Sequence, residues 1–261
     1  MVEPVLRYHD IAPGVVAFST TRHGGFSRGN YAEFNINQHC GDAPEDTQRN
    51  LCLLCRKLDI KPGRLVMPHQ THGTEVRQIA EEFFSLPQPA RTSLLEGVDA
   101  VMTDVRETCI GVSTADCIPI LLYDTDHRAA CAVHAGWRGT VGRIARKAVA
   151  AMQAAYSTRP QSLRAVIGPG ISADAFEVGD EVYAEFAQAG FDMERISRLT
   201  DKWHIDLWEC NRLELVEAGL PPAAISVTGP CTYSHADEYF SARRLGTASG
   251  RIFTGIIIRN S

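Results

Sequence analysis

The chain reads as an α/β fold: a single domain over residues 1–261 with mixed β-sheet layers flanked by helices. Three observations lead there. Apolar, partly β-branched runs at 99–102, 109–113, 118–123 and 129–134 have the composition of strands buried on both faces. Amphipathic helical stripes lie before and after them. Strands and helices also interleave without a strict strand–helix–strand rhythm, which favours a mixed sheet over a doubly wound parallel one. No linker, internal repeat or low-complexity tract divides the chain.

Taken in order, residues 15–21 predict a strand that runs into the glycine loop Arg22-His23-Gly24-Gly25. A helix follows over 44–58, with Leu51, Leu54, Cys55 and Leu58 on one face, Asp42 as its capping residue and Pro44 in its first turn. Short strands at 64–67 and 74–79 flank His69-Gln70-Thr71-His72-Gly73. Residues 80–97, of mixed polarity with two prolines, read as a surface excursion with one helical turn. After the four apolar runs, Thr140 is placed as the cap of a helix carrying Val141, Ile144, Ala145, Ala148, Met152 and Ala155 as its stripe. A strand at 163–167 enters Gly168-Pro169-Gly170; helices near 179–189 and 207–218 and strands at 225–228 and 252–258 complete the set.

Composition narrows the function. With 26 Lys and Arg scattered among 31 Asp and Glu, the net charge is −5, which argues against a nucleic-acid footprint. No apolar run reaches the roughly 18–20 residues that span a bilayer, and the N-terminus lacks the pattern of a secretory signal. The expectation is a cytoplasmic protein, a monomer or homodimer, with its eight cysteines reduced, buried or metal-bound. Cys52-Leu-Leu-Cys55 lacks a second pair to complete a zinc knuckle, so both thiols are assigned to helix packing.

Chemistry gathers at three places. Cys117 opens one apolar run in Thr-Ala-Asp-Cys-Ile-Pro, and His134 closes another, seventeen residues later, in Ala-Val-His-Ala-Gly-Trp-Arg-Gly. If those runs pair antiparallel, both residues meet at one sheet edge, where His72 offers a third donor. A thiolate with two imidazoles suits zinc or copper with one position left open. Without a metal, Cys117 and His134 would be a nucleophile and base of a hydrolase; the second histidine favours the metal. His69 is a weaker candidate, for holding its loop or for a second ion. Arg138, beside a helix N-terminus in Gly136-Trp137-Arg138-Gly139-Thr140, is a candidate anion contact, as are Arg22 and Arg243. Gln70 and Asp116 adjoin the candidate ligands; Asp116 is a proton shuttle or an orienting partner.

These segments resemble a known family. Thr-Thr-Arg-His-Gly-Gly (20–25), Phe-Asn-Ile-Asn (34–37), Gly-Asp-Ala-Pro-Glu (41–45), Gln-Thr-His-Gly (70–73), Asp-Ala-Val-Met-Thr-Asp (99–104), Thr-Ala-Asp-Cys-Ile-Pro-Ile (114–120), Ala-Val-His-Ala-Gly-Trp-Arg-Gly (132–139) and Phe-Ser-Ala-Arg-Arg (240–244) run in order over nearly the whole chain. They resemble the bacterial multi-activity purine nucleoside phosphorylases, also described as laccase-domain polyphenol oxidases. The resemblance implies metal ligation by His72, Cys117 and His134, with zinc usual and copper tied to the oxidase activity. It implies an α/β fold similar to a toxin deamidase that uses Cys and His. The implied reactions are phosphorolysis of adenosine, inosine and S-methyl-5′-thioadenosine to base and ribose 1-phosphate, and deamination of adenosine. A copper-dependent polyphenol oxidase and a non-catalytic metal-binding protein are the alternatives. The chain departs from the family pattern at Leu51, which leaves Arg49 displaced, at Ala242 and at Gly170.

Overall fold

The computed structural model describes residues 3–260. Two mixed sheets stack face to face, with helices outside each. The first sheet has the spatial order Leu6–His9, Val15–Thr20, Ile252–Ile258, Cys109–Thr114, Leu65–Val66, antiparallel except at the last pair. The second runs Ile225–Val227, Leu163–Ile167, Ile118–Asp124, Ala129–Ala135, Ala100–Thr103, Val76–Gln78, with parallel pairs only at its two margins.

Side-chain alternation sorts the residues into layers. From Ala129–Ala135, Cys131 and Val133 face outward onto the helices Ile144–Tyr156 and Leu207–Glu217, where Ile144, Ala148, Met152 and Leu215 cover them. Ala130 and Ala132 face inward and meet Ile110, Val112 and Ile256 of the first sheet. On the far side Cys109, Phe18, Phe253 and Ile257 pack under the helix Pro44–Lys57 through Leu54. The result is helix, sheet, sheet, helix, as the buried runs require. A small antiparallel sheet of Glu177–Val178, Trp203–Ile205 and Ser197–Leu199 is not hydrogen-bonded to either large sheet and joins the outer core of the second through Val178 and Ile205.

The expected hairpin is present, with Ile118 opposite Ala135 and Pro119 opposite His134. Other expectations need correction. Thr140 is not a cap: the chain turns helical directly after the strand, at Trp137–Val141 with Gly136 as its capping position, and a second helix starts at Ile144. Between them Arg143 is left-handed at φ +63, which breaks the continuous helix that the stripe suggested. Asp42 does not cap the helix at Pro44 either; Ala43 holds that position, while the Asp42 carboxylate accepts from Ala43 N–H, Ser27 Oγ and Asn35 Nδ2. The excursion at 80–97 holds a 3-10 turn, Glu81–Ser85, and a two-turn helix, Gln88–Leu95. Of the Cys52/Cys55 pair only Cys55 is buried; Cys52 is exposed. The edge strand Leu6–His9 was not anticipated, because its short polar pattern carries little periodic signal.

That edge strand contains a test of the packing. His9 Nε2 lies 2.9 Å from Ser19 Oγ, which in turn lies 2.8 Å from Thr254 Oγ1. Burial holds the His9 imidazole down to about 4. The unfolded chain therefore takes up a proton near pH 6.5 that the folded chain refuses until about 4. Stability from this group is complete above pH 6.5 and falls as the pH drops to 4, by about 3 kcal/mol at most. Urea titrations across that window are expected to show the slope, and His9→Asn is expected to flatten it.

Candidate metal centre

Three chain segments meet at one edge of the two-sheet stack. The strand Ala129–Ala135 delivers His134 into the layer between the sheets, next in register after Ala130 and Ala132. The turn between Cys109–Thr114 and Ile118–Asp124 delivers Cys117. The loop before Val76–Gln78 delivers His72, in the left-handed region at φ +64. One donor atom from each lies within 4.8 Å of the others, and among the described residues this is the only such group of three His, Cys, Asp or Glu. The His72 and His134 rings meet edge-on, centroids 4.9 Å apart.

A residue that sequence reasoning missed holds the group together. Asp99, fully buried ahead of Ala100–Thr103, accepts from the backbone N–H of His72 at 3.0 Å, of Gly73 at 2.7 Å and of Thr71 at 3.3 Å. Its Oδ1 also lies 2.7 Å from His134 Nδ1. That contact holds a proton on Nδ1 and turns Nε2 toward the donor cluster, where a metal would displace the proton it shares with Cys117. Burial raises the Asp99 carboxyl, but His134 and the backbone donors outweigh it and keep it ionised. The available signal was an acid directly ahead of an apolar buried run, where an unpaired carboxylate would be costly.

The electrostatics favour a cation. Burial raises the Cys117 thiol, yet the charge and hydrogen bonds of His134 and His72 pull it down to about 6. His134, whose burial would lower it, is lifted to about 9 by the Cys117 thiolate and Asp99. A thiolate, two imidazoles and a carboxylate behind one of them form a donor set that suits a borderline-soft divalent ion. The backbone is shaped around it. A Cβ on Gly136 would stand 2.9 Å from His72 Cδ2 and 3.0 Å from Cys117 Sγ, and one on Gly142 would stand 2.7 Å from Thr74 Cγ2. These glycines let the short helix Trp137–Val141 lie against the His72 loop, a different use from the anion loop read from sequence.

The donors open on a cavity of about 220 Å³. Gln70 lines it, but its amide is committed to the Ser113 backbone, donating to Ser113 O and accepting Ser113 N–H, both at 2.8 Å. The three arginines expected here are not among its lining residues. Arg22 donates to Ala32 O and Ala236 O and lies over Phe240; Arg243 donates to Glu177 O; Arg138 is exposed on the Trp137 ring. Arg251 is the only Lys or Arg in the lining, and the sequence reading did not single it out. Asp116 accepts from Thr232 Oγ1 and Arg243 N–H, both at 2.7 Å, so it braces the C-terminal loops rather than a ligand. His69 lines the cavity, stacked on His39 at 3.9 Å and paired with Glu96. Of the departures, Ala242 lines the cavity, Arg49 lies 3.5 Å over Phe26, and Gly170 has no room for a side chain, with Ile118 Cδ1 only 2.4 Å from an added Cβ.

The family model described as multi-copper polyphenol oxidoreductase laccase matches residues 16–259. A purine nucleoside phosphorylase of Bacteroides thetaiotaomicron is 47% identical over 244 residues, covering 92% of this chain and 90% of that protein. Adenosine deaminase RL5, from an unknown prokaryotic organism, is 43% identical, covering 93% and 94%. The crystal structure of the Bacillus licheniformis hypothetical protein YfiH superposes with a TM-score of 0.88 at 26% identity, covering 97% and 99%.

Asp99→Asn is expected to keep the fold by circular dichroism and to weaken divalent-ion binding about 10- to 100-fold in a chelator competition, the scale of lost outer partners at zinc sites. Gly136→Ala, which drives a methyl between His72 and Cys117, is expected to weaken it more.

Proposed function

The chain belongs to the multi-copper polyphenol oxidoreductase laccase family, and from that membership and its donor cluster we propose a zinc-dependent purine nucleoside phosphorylase that also deaminates adenosine. Its substrates in this reading are adenosine, inosine and S-methyl-5′-thioadenosine, with phosphate as co-substrate, and residues 1–261 act as one domain. Two relatives named for these activities, each aligned over more than nine-tenths of the chain, support the choice of reactions. The observation that carries the site is the His72, Cys117, His134 cluster braced by Asp99 on a cavity wall.

His72, Cys117 and His134 would hold the ion, which supplies a Lewis acid on that wall. Asp99 fixes the tautomer and orientation of His134, and its bonds to Thr71, His72 and Gly73 hold the second imidazole in place. Arg251 takes over the phosphate-facing role first given to Arg22, Arg138 and Arg243, because it alone among the Lys and Arg residues lines the cavity. Its guanidinium is fixed by Ser249 O, Gly250 O and Thr247 O, which suits it to orient an anion with little loss of side-chain freedom. Gln70 positions the Ser113 backbone at the cavity wall.

No helix among the described residues is long and apolar enough to cross a membrane. All eight cysteines are free, which supports a reducing compartment such as the cytoplasm.

The family description favours a second reading, a copper-dependent phenol oxidase. Among the described residues only one three-donor group is present, whereas one-electron oxidation of phenols with oxygen draws on several coppers. The oxidase is therefore ranked second, and a metal-binding protein without turnover third.

Protein of known metal content is to be incubated with inosine or adenosine, with and without phosphate, and the products separated by chromatography, with His134→Ala beside it. The expected outcome is phosphate-dependent hypoxanthine from inosine and inosine from adenosine, both lost in the variant. No base and no inosine would overturn the reading. Copper-dependent turnover of a phenol would then favour the oxidase, and tight metal binding alone the non-catalytic protein.

A further inference from the structure

Thr114 ends the strand Cys109–Thr114 and lines the same cavity as the three donors. It shares its side-chain direction with Ile110 and Val112, so its hydroxyl enters the layer between the sheets that also receives His134. The residue is 1% exposed, and its Oγ1 has no hydrogen-bond partner. An orphaned buried hydroxyl is uncommon, because leaving one unpaired costs more than an average hydrogen bond returns. Its neighbours do not share this condition. The Ser113 Oγ accepts from Asn37 Nδ2 at 2.6 Å, Asn37 Oδ1 accepts His39 N–H at 2.7 Å, and both ends of the Gln70 amide are used. Among the buried side-chain N and O atoms of the described cavity lining, the Thr114 hydroxyl alone lacks a partner.

We propose that the Thr114 hydroxyl is a catalytic contact that seats the oxygen nucleophile of both reactions. This inference rests on the nucleoside reading above. In phosphorolysis a phosphate oxygen bonds to C1′ as the C1′–N bond breaks; its electron pair leaves on the base nitrogen, which takes the phosphate proton. In deamination a water oxygen bonds to the ring carbon that carries the amino group; ammonia leaves with one water proton, and the other ends on the ring nitrogen. The two nucleophiles differ in what they ask of a partner, since phosphate oxygens accept and water can also donate. A hydroxyl does both and rotates between the roles, whereas an amide, a carboxylate or an ammonium group has fixed donors and acceptors. One threonine can therefore serve both nucleophiles in one cavity.

Thr114→Val keeps the shape and removes the hydroxyl; Thr114→Ser keeps the hydroxyl. The valine variant is expected to match the wild type in metal content and to be as stable or more so, because an unpaired buried hydroxyl has been removed. Its kcat is expected to fall about 100-fold in both phosphorolysis and deamination, with the nucleoside KM little changed, and serine is expected to restore most of it. Calorimetric titration of the metal-loaded proteins with inorganic phosphate is expected to show weaker binding in Thr114→Val. Wild-type kcat in the valine variant, a loss that serine does not restore, or loss of metal would overturn the proposal. If the wild type itself turns over neither nucleoside, the functional reading fails, and equal phosphate affinity in wild type and Thr114→Val then overturns the Thr114 contact separately.

Discussion

One buried carboxylate organises the functional edge of this molecule. Asp99 takes three backbone N–H groups from the His72 loop and the Nδ1 proton of His134. Without it, Thr71, His72 and Gly73 would lose the acceptor that holds their backbone, and the His134 imidazole would be free to choose its tautomer and tilt. Burying a charge is costly unless it is paired and hydrogen-bonded, and this one is saturated on both oxygens. The left-handed backbone of His72 is tolerable for the same reason, because the bonds on either side of it determine its position. The donor cluster thus depends on a residue that donates nothing to it directly.

Much of this was legible in the residue pattern. The apolar runs around Ile110, Leu121 and Val133 forecast sheets covered on both faces, and the short interval between 123 and 129 forecast the hairpin that brings His134 beside the Cys117 turn. The cluster itself followed, since residues at opposite ends of paired strands share an edge. What the pattern did not reveal was which charged side chains line the cavity. Arg22, Arg138 and Arg243 stand next to motif residues in sequence, but a guanidinium reaches several ångströms and its destination is set by carbonyls from other parts of the chain. Arg251 was missed for the converse reason: it lies outside the motifs and reaches the cavity only through the fold. The stretch Gly136-Trp137-Arg138-Gly139-Thr140 was read as a loop for anions; in the structure Gly136, with Gly142 beyond it, clears space for the loop that carries His72.

The family description and the relatives' names point in different directions, and the donor set explains how one scaffold can carry both. Two imidazoles and a thiolate satisfy zinc and copper alike. Selection between them then passes to geometry and to the surroundings, and the surroundings here are a buried carboxylate, a polar wall and a single arginine. In the proposed reading, these would position oxygen atoms and an anion. Electron relay between several metal centres would require donors that the described residues do not group together.

The three donors differ in one further respect. His134 is 3% exposed and locked by Asp99, Cys117 is half-buried, and His72 faces solvent on a loop. For an ion held in the proposed way, that gradient would make His72 the last ligand to close and the first to release. Its residence would then depend on the one solvent-facing imidazole, whose backbone Asp99 holds, more than on the two inner donors. The choice of metal would then rest on access to that outer donor as much as on the softness of the inner pair.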